Sequence, residues 1–252
     1  DANATDVGDL TDARGDLAGQ TSSTHGYCSG GVGGPYKNVI DKFSFSVDGN
    51  ATDVGDLTTP LRGYPCGQSS ETHGYTSGGA ATQNEIDKFS FSVDGNATDV
   101  GNLTVGRYAS AGQSSETHGY ASGGYFPSFH NIIDKFSFAS DGNAVDHGDL
   151  SIAVAHPTGQ SSTTHGYHTG QQPAGTTMGK FAFASNVTGT DVGDLTTSRG
   201  YCAGISSTTD GYTAGGSGPS NEIDKFSFSV DGNATDVGDL TTTKKACAGS
   251  QK

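Results

Sequence analysis

Tryptophan is absent from this 252-residue chain, methionine occurs once, and glutamate is confined to Glu71, Glu85, Glu116 and Glu222. Only 31% of residues are apolar, which is little for a chain that has to bury a core. There is no apolar run of membrane-spanning length, no basic cluster and no segment of helical period. These absences argue against membrane insertion, nucleic-acid binding and a helical bundle. The net charge of −14, carried mostly by Asp, would repel phosphate backbones as well. No secretory leader is recognisable, and a chain that opens on Asp1 in mid-repeat is expected of a processed or excised product. The four cysteines, Cys28, Cys66, Cys202 and Cys247, lack metal-ligand spacing and occupy three different positions of the repeat. They read as small buried thiols or as one long-range bridge.

What the chain does have is periodicity. Its 12 Phe and 10 Tyr are spaced regularly, which a solvated low-complexity tail does not need. The twenty residues IDKFSFSVDGNATDVGDLTT at 40–59 return unchanged at 223–242. The leucine of DVGDL or its variants falls at Leu10, Leu57, Leu103, Leu150, Leu195 and Leu240, in steps of 47, 46, 47, 45 and 45 residues. Two other landmarks, KFxF and T[HD]GY, occur five times each, and only the terminal phrase occurs six times. Residues 1–20 and 231–251 are therefore overlapping copies of one segment.

Each unit reads as four short strands: AGQSS, then THGYxSGG, then xIDKFSFS after a variable loop, then ATDVGDL after an Asp-Gly turn. Short strands with Gly-rich turns at this period predict an all-β fold, a single five-bladed β-propeller of four-stranded antiparallel blades over residues 1–252. The GG closing the second strand, the NxID entering the third, and the Arg after the fourth (Arg14, Arg62, Arg107, Arg199) resemble kelch repeats. The kelch fourth-strand Trp is missing throughout. Phrases such as NATDVGDLT and THGYTSGG also resemble repeats of marine bacteriophage virion proteins. That resemblance implies a virion or cell-surface role.

Alternation along the strands puts Phe43 and Phe45 on one face, and His25 and Tyr27 opposite Gly26 and Cys28. The expected packing sets aromatics on one face of each blade and small Gly, Ser and Ala residues on the other, so that rings lie on a neighbour's smooth back. The surplus terminal phrase is expected to close the ring by one end displacing the other; otherwise it frays, is left from a longer array that was cut, or pairs with the edge of another molecule.

The chemistry-bearing residues recur with the blade. His25, His73, His118 and His165 in T[HD]GY could form a ring of ligands, yet the fifth unit carries Asp210, which suits a structural hydrogen bond equally well. Asp48, Asn50, Asp53 and Asp56 make an oxygen-rich cluster that fits turn bonding better than the twelve-residue calcium loop. The glycosylation triplets at Asn3, Asn50, Asn96, Asn102, Asn186 and Asn233 follow from duplication of one turn. No nucleophile, base and acid stand together in a place the other units do not reproduce, so no enzyme, no metal and no cofactor are expected.

What varies is the loop between the second and third strands, which carries Tyr36 and Lys37 in one unit and Tyr125, Phe126, Phe129 and His130 in another. Such loops gather at one end of a propeller and present a recognition surface. The expectation is a non-enzymatic structural or interaction protein, extracellular or on a virion surface, that binds a protein or glycan surface. The alternative is a lectin-like propeller with one weak sugar site per blade.

Overall fold

Turn residues and alternation produce the same sheet five times. The structure, a computed structural model, describes residues 3–249 apart from 61, 81, 187 and 219. The outermost residues of the two overlapping terminal copies, and single positions in the 80–84 and 217–221 loops, thus lie outside the described residues. In the first blade Ala18–Thr21 (β1), His25–Ser29 (β2), Val39–Ser44 (β3) and Thr52–Asp56 (β4) pair antiparallel in chain order. The second blade has Cys66–Ser69 (β5), His73–Gly79 (β6), Gln83–Ser90 (β7) and Thr98–Asn102 (β8). The third has Ala111–Ser114 (β9), His118–Ser122 (β10), His130–Ser137 (β11) and Val145–Val154 (β12). The fourth has Thr158–Ser161 (β13), His165–Thr169 (β14), Thr177–Ala182 (β15) and Thr190–Asp194 (β16). The fifth has Ala203–Ser206 (β17), Asp210–Ala214 (β18), Glu222–Ser227 (β19) and Thr235–Asp239 (β20). The protein is a five-bladed β-propeller of four-stranded antiparallel blades, with no helix among the described residues.

The packing between blades differs from the aromatic-on-small arrangement expected from the strands taken singly. Register pairs Gly26 with Phe43 and Tyr27 with Lys42, and residues directly opposite share a face. The tyrosine and the phenylalanines of one blade therefore point in opposite directions, because a one-residue offset exchanges the faces. Across the junction Tyr27 meets Phe89 and Phe91 of the next blade at 5.5 and 4.8 Å between ring centroids. Tyr75 meets Phe136 and Phe138, Tyr120 meets Phe181 and Phe183, and Tyr167 meets Phe226 and Phe228 in the same way. The small residue acts within its own blade instead. There the glycine of T[HD]GY lies under the phenylalanine of the third strand, where a Cβ would enter the ring. Four buried apolar clusters result, one at each of these junctions.

A second tie joins the segment entering each blade but the fourth to that blade. Arg62 enters the second blade and pairs with Asp87 at 2.9 Å, both side chains fully buried, while Thr58 Oγ1 donates to the same carboxylate. Arg14 with Asp41, Arg107 with Asp134 and Arg199 with Asp224 repeat the arrangement. The fourth blade has Val154 in place of the arginine and Gly179 in place of the aspartate, and buried His168 fills the space against Gly179. The pair is lost as a unit, because either partner alone would be an uncompensated buried charge.

Around the axis runs a closed circuit of backbone hydrogen bonds. The amides of Tyr64, Ala109, His156, Tyr201, Ala246 and Asp16 donate in turn to the carbonyls of Asp16, Tyr64, Ala109, His156, Tyr201 and Ala246. All six residues hold φ between 51° and 60°, a left-handed conformation that non-glycine residues adopt only under constraint. Below it the glycines of the inner strands stack, so that a Cβ on Gly67, Gly112, Gly159 or Gly204 would strike the preceding blade's glycine carbonyl.

Neither terminal copy displaces the other, in contrast to the expected closure. β20 completes the fifth blade, while residues 3–10 lie beyond it. Ala4 N donates to the Asp239 carbonyl, and Ala51 N donates to the Asp9 carbonyl, as Ala97 N does to that of Asp56. The C-terminal residues 246–249 take the next inner position, with Gly249 between Gly204 and Gly19. Each copy finds its own place because each meets a different neighbour.

Phe136, 4% exposed, and Phe45, 51% exposed, test the packing. Phe136→Ala is expected to lower unfolding free energy by about 3–5 kcal/mol in urea titrations, and Phe45→Ala to stay within about 0.5 kcal/mol. Asp134→Ala, which strands the Arg107 guanidinium, is expected to cost about 3–5 kcal/mol by the same measurement.

Candidate functional site

Five tyrosines lie outside T[HD]GY: Tyr36, Tyr64, Tyr108, Tyr125 and Tyr201. Tyr64, Tyr108 and Tyr201 sit in the linkers just after the buried arginines, and Tyr36 and Tyr125 in the variable loops. The fold brings them to one end of the propeller. Phe129 packs on Tyr125 at 5.3 Å, Tyr125 on Tyr108 at 5.6 Å, and Tyr108 on Tyr64 at 5.7 Å. Tyr64 meets His156 edge-on at 5.6 Å, and His156 stacks on Tyr201 at 3.9 Å. Tyr36 joins this run beside Gly63, where a Cβ would touch its ring. Bridges between Tyr108 and Tyr125 and between Tyr125 and Phe129 hold the third blade's loop against the linker.

At the centre of this end a cavity of about 100 Å³ follows the axis, ringed by Asp16, Tyr64, Ala109, His156, Tyr201 and Ala246. Its electrostatics follow from burial. Desolvation pushes the Asp16 carboxyl up to about 6, opposed by Lys245, and lowers the His156 imidazole to about 4. Burial raises the phenols of Tyr64, Tyr108 and Tyr201 too, with like charge from neighbouring acidic groups adding to it. At neutral pH the site thus offers neutral rings, phenolic hydroxyls and one desolvated carboxylate. That combination suits stacking and hydrogen bonding.

The residues expected from the loops divide. Tyr36, Tyr125 and Phe129 belong to the aromatic run, half-buried or 38–39% exposed. Phe126 is 40% exposed at the loop tip, and the His130 imidazole donates from Nε2 to its carbonyl at 2.7 Å. Lys37 forms an ion pair with Asp12. Sequence reasoning missed Tyr64, Tyr108, Tyr201 and His156. The available signal was the aromatic repeatedly placed one or two residues after the linker arginine.

The four motif histidines are not brought to this site. His25, His73, His118 and His165 open β2, β6, β10 and β14, one per blade, each with Nδ1 2.8 Å from the hydroxyl of the preceding threonine. In the fifth blade Thr209 donates to Asp210 at 2.7 Å. Burial lowers the imidazoles of His73, His118 and His165. The oxygen-rich turn is likewise spoken for: Asn50 Oδ1 accepts from Asp9 N, Asp53 Oδ1 from Gly55 N, and Asn96 Oδ1 from Asp56 N. Among the described residues no three His, Cys, Asp or Glu side chains gather as a metal site. The four cysteines are free, and burial pushes Cys28 and Cys202 up to about 12.

No family model matches this sequence, and no curated protein matches it. Among solved structures 507 chains match, so the architecture is widely shared and does not point to one activity. One of them, the structure of YjhT, superposes with a TM-score of 0.76 over 95% of this chain and 88% of its own, at 11% sequence identity. A likeness at that identity establishes the propeller fold alone.

Asp16 and His156 give the site opposite pH dependences. Between the ordinary value of 3.8 and about 6, the folded protein keeps a proton on Asp16 that the unfolded chain has lost. The stability this group contributes is therefore present at low pH and lost as pH rises through about 6. His156 stays neutral in the folded protein between about 4 and 6.5, where the unfolded chain is charged, so its contribution is lost as pH falls through that window. Thermal melts of Asp16→Asn are expected to match the wild type near pH 4, to exceed it increasingly as pH rises to about 6, and to keep a constant margin above that.

Proposed function

We propose that this propeller is a non-enzymatic interaction protein that binds a partner surface through its aromatic end. The observation that carries the reading is the gathering of four non-motif tyrosines, with Phe129 and His156, into one run of ring contacts at a single end, with the fifth, Tyr36, beside Gly63. The blades do not need these rings for packing, since they lie in linkers and loops outside the four interblade clusters. Rigid, partly exposed aromatics are the usual anchors of binding surfaces. The kelch resemblance of the GG, NxID and linker-arginine landmarks supports the same reading. The resemblance to phage virion repeats supports a virion or extracellular surface as its place. Among the described residues no helix is long and apolar enough to cross a membrane.

A second reading, sugar binding, is favoured by the axial cavity, where Tyr64, Tyr201 and His156 surround Asp16. The rings could stack on a sugar's apolar face while the carboxylate accepts from its hydroxyls. Each blade contributes a different residue there, so this reading calls for one axial site rather than five equivalent pockets.

Photo-crosslinkers placed at exposed Phe126 and, as a rim control, at Val93, 70% exposed, separate these readings when offered to cell and virion surfaces. Partner adducts are expected from Phe126 alone, and Tyr108→Ala is expected to weaken partner binding by at least about 2 kcal/mol, roughly 30-fold. Adducts from the rim alone would sink the proposal. Glycan-array binding that free monosaccharide competes away and Tyr201→Ala abolishes would favour the sugar.

A further inference from the structure

At the mouth of the axial bore one side chain is out of keeping with the others. The hydrogen-bond circuit runs through Asp16, Tyr64, Ala109, His156, Tyr201 and Ala246, and of these Asp16 alone is charged at neutral pH. Its carboxylate is half-buried, and among the described residues it has no hydrogen bond and no ion pair. The cation that acts on it is Lys245, an exposed side chain that does not reach salt-bridge distance. The buried carboxylates of Asp41, Asp87, Asp134 and Asp224, by contrast, each hold an arginine. An unmatched carboxylate costs stability once it ionises, and a charge kept at that cost marks a place for an opposite one.

What faces Asp16 is aromatic. Counted along the circuit, His156 lies three links away, on the far side of the bore, with Tyr64 on one flank and Tyr201 on the other. The remaining two places are alanines, and Ala109 is small enough for Tyr64 to meet His156 above it. Tyr64 stands at 79° to His156 and Tyr201 within 30° of it, so the rings bound the mouth in two steeply inclined planes. The Asp16 charge raises the phenols of both Tyr64 and Tyr201, which puts the carboxylate within electrostatic reach of both. Burial keeps the imidazole neutral, so it does not repel a cation. Three rings and one carboxylate around a single opening have the makings of a cation cage.

The kind of cation follows from what the mouth lacks. All six carbonyls of the circuit already accept an amide, which leaves few acceptors beside Asp16. A guanidinium or a primary ammonium brings several N–H donors, and those without a partner would give up water for nothing. A quaternary ammonium brings none, and its methyl groups pack on ring faces. We propose that the mouth of the bore binds a quaternary ammonium group, held against Asp16 by the rings of Tyr64, His156 and Tyr201. The site rests on the reading of this end as the binding face and names the group that face takes, on a free small molecule or on a trimethylated lysine of a partner. The net charge of −14 draws such groups toward the protein.

Choline is the probe, titrated into the full chain at neutral pH by calorimetry. Dimethylbutanol, in which carbon replaces the nitrogen, is the uncharged control. The expected result is saturable one-to-one binding of choline, at least about tenfold weaker for dimethylbutanol and for Tyr201→Ala. Asp16→Asn is expected to weaken choline at least about tenfold while melting no lower than the wild type, which separates loss of binding from loss of fold. Lys245→Ala, an exposed substitution that removes a competing charge, is expected to tighten binding about twofold. A peptide with one trimethyllysine that binds at least about tenfold tighter than choline assigns the group to a partner protein, and one that binds no tighter assigns it to a free small molecule. Absence of saturable choline binding, equal binding of dimethylbutanol, or wild-type affinity in Asp16→Asn would overturn the proposal. Crosslinking from Phe126 reports on the loop tip and choline on the axis, so adducts there without choline binding would remove the cage and leave the partner reading standing.

Discussion

The structure depends on one contact made repeatedly: a tyrosine ring from one blade laid against two phenylalanines of the next. Where it forms, the tyrosine is 1–2% exposed and an apolar cluster condenses around it. At about 25 cal/mol per Å² and 150–250 Å² per ring, a few aromatics per junction do what a larger aliphatic core does elsewhere. This is how a chain with only 31% apolar residues closes on itself. Glycine is the complement to it, since a strand that passes under a phenylalanine can carry no side chain of its own.

The buried arginine–aspartate pair adds order more than adhesion. Ion pairs with both side chains fully buried seldom outperform apolar packing. The fourth blade demonstrates this, because it replaces the pair with Val154, Gly179 and His168 and keeps the same strand order. What the pair does in the other blades is fix the linker, and the linker carries Tyr64, Tyr108 and Tyr201. A charge buried in the core thereby aims the aromatics that face outward.

Much of the fold was legible in the sequence. Period, turn residues and alternation were enough for five sheets of four strands, because each depends on local chemistry that the repeat states five times. The faces were not legible, since whether Tyr27 and Phe43 share a side depends on register between strands, which no single strand records. The candidate site was half legible. Tyr36, Tyr125 and Phe129 stood out because their loop varies. Tyr64, Tyr108 and Tyr201 did not, because proximity around an axis joins residues some 45 positions apart in sequence and is a property of the closed ring.

The hydrogen-bond circuit at the axis has a mechanical meaning. Its diameter is gauged by six backbone links, and two of them meet at Ala246 in the C-terminal segment. Each link fixes the distance between two neighbouring segments, and with it the spacing of the Tyr64, His156 and Tyr201 rings they carry. The aromatics at that end are thereby held at one another's pitch, as the staves of a barrel are by its hoop.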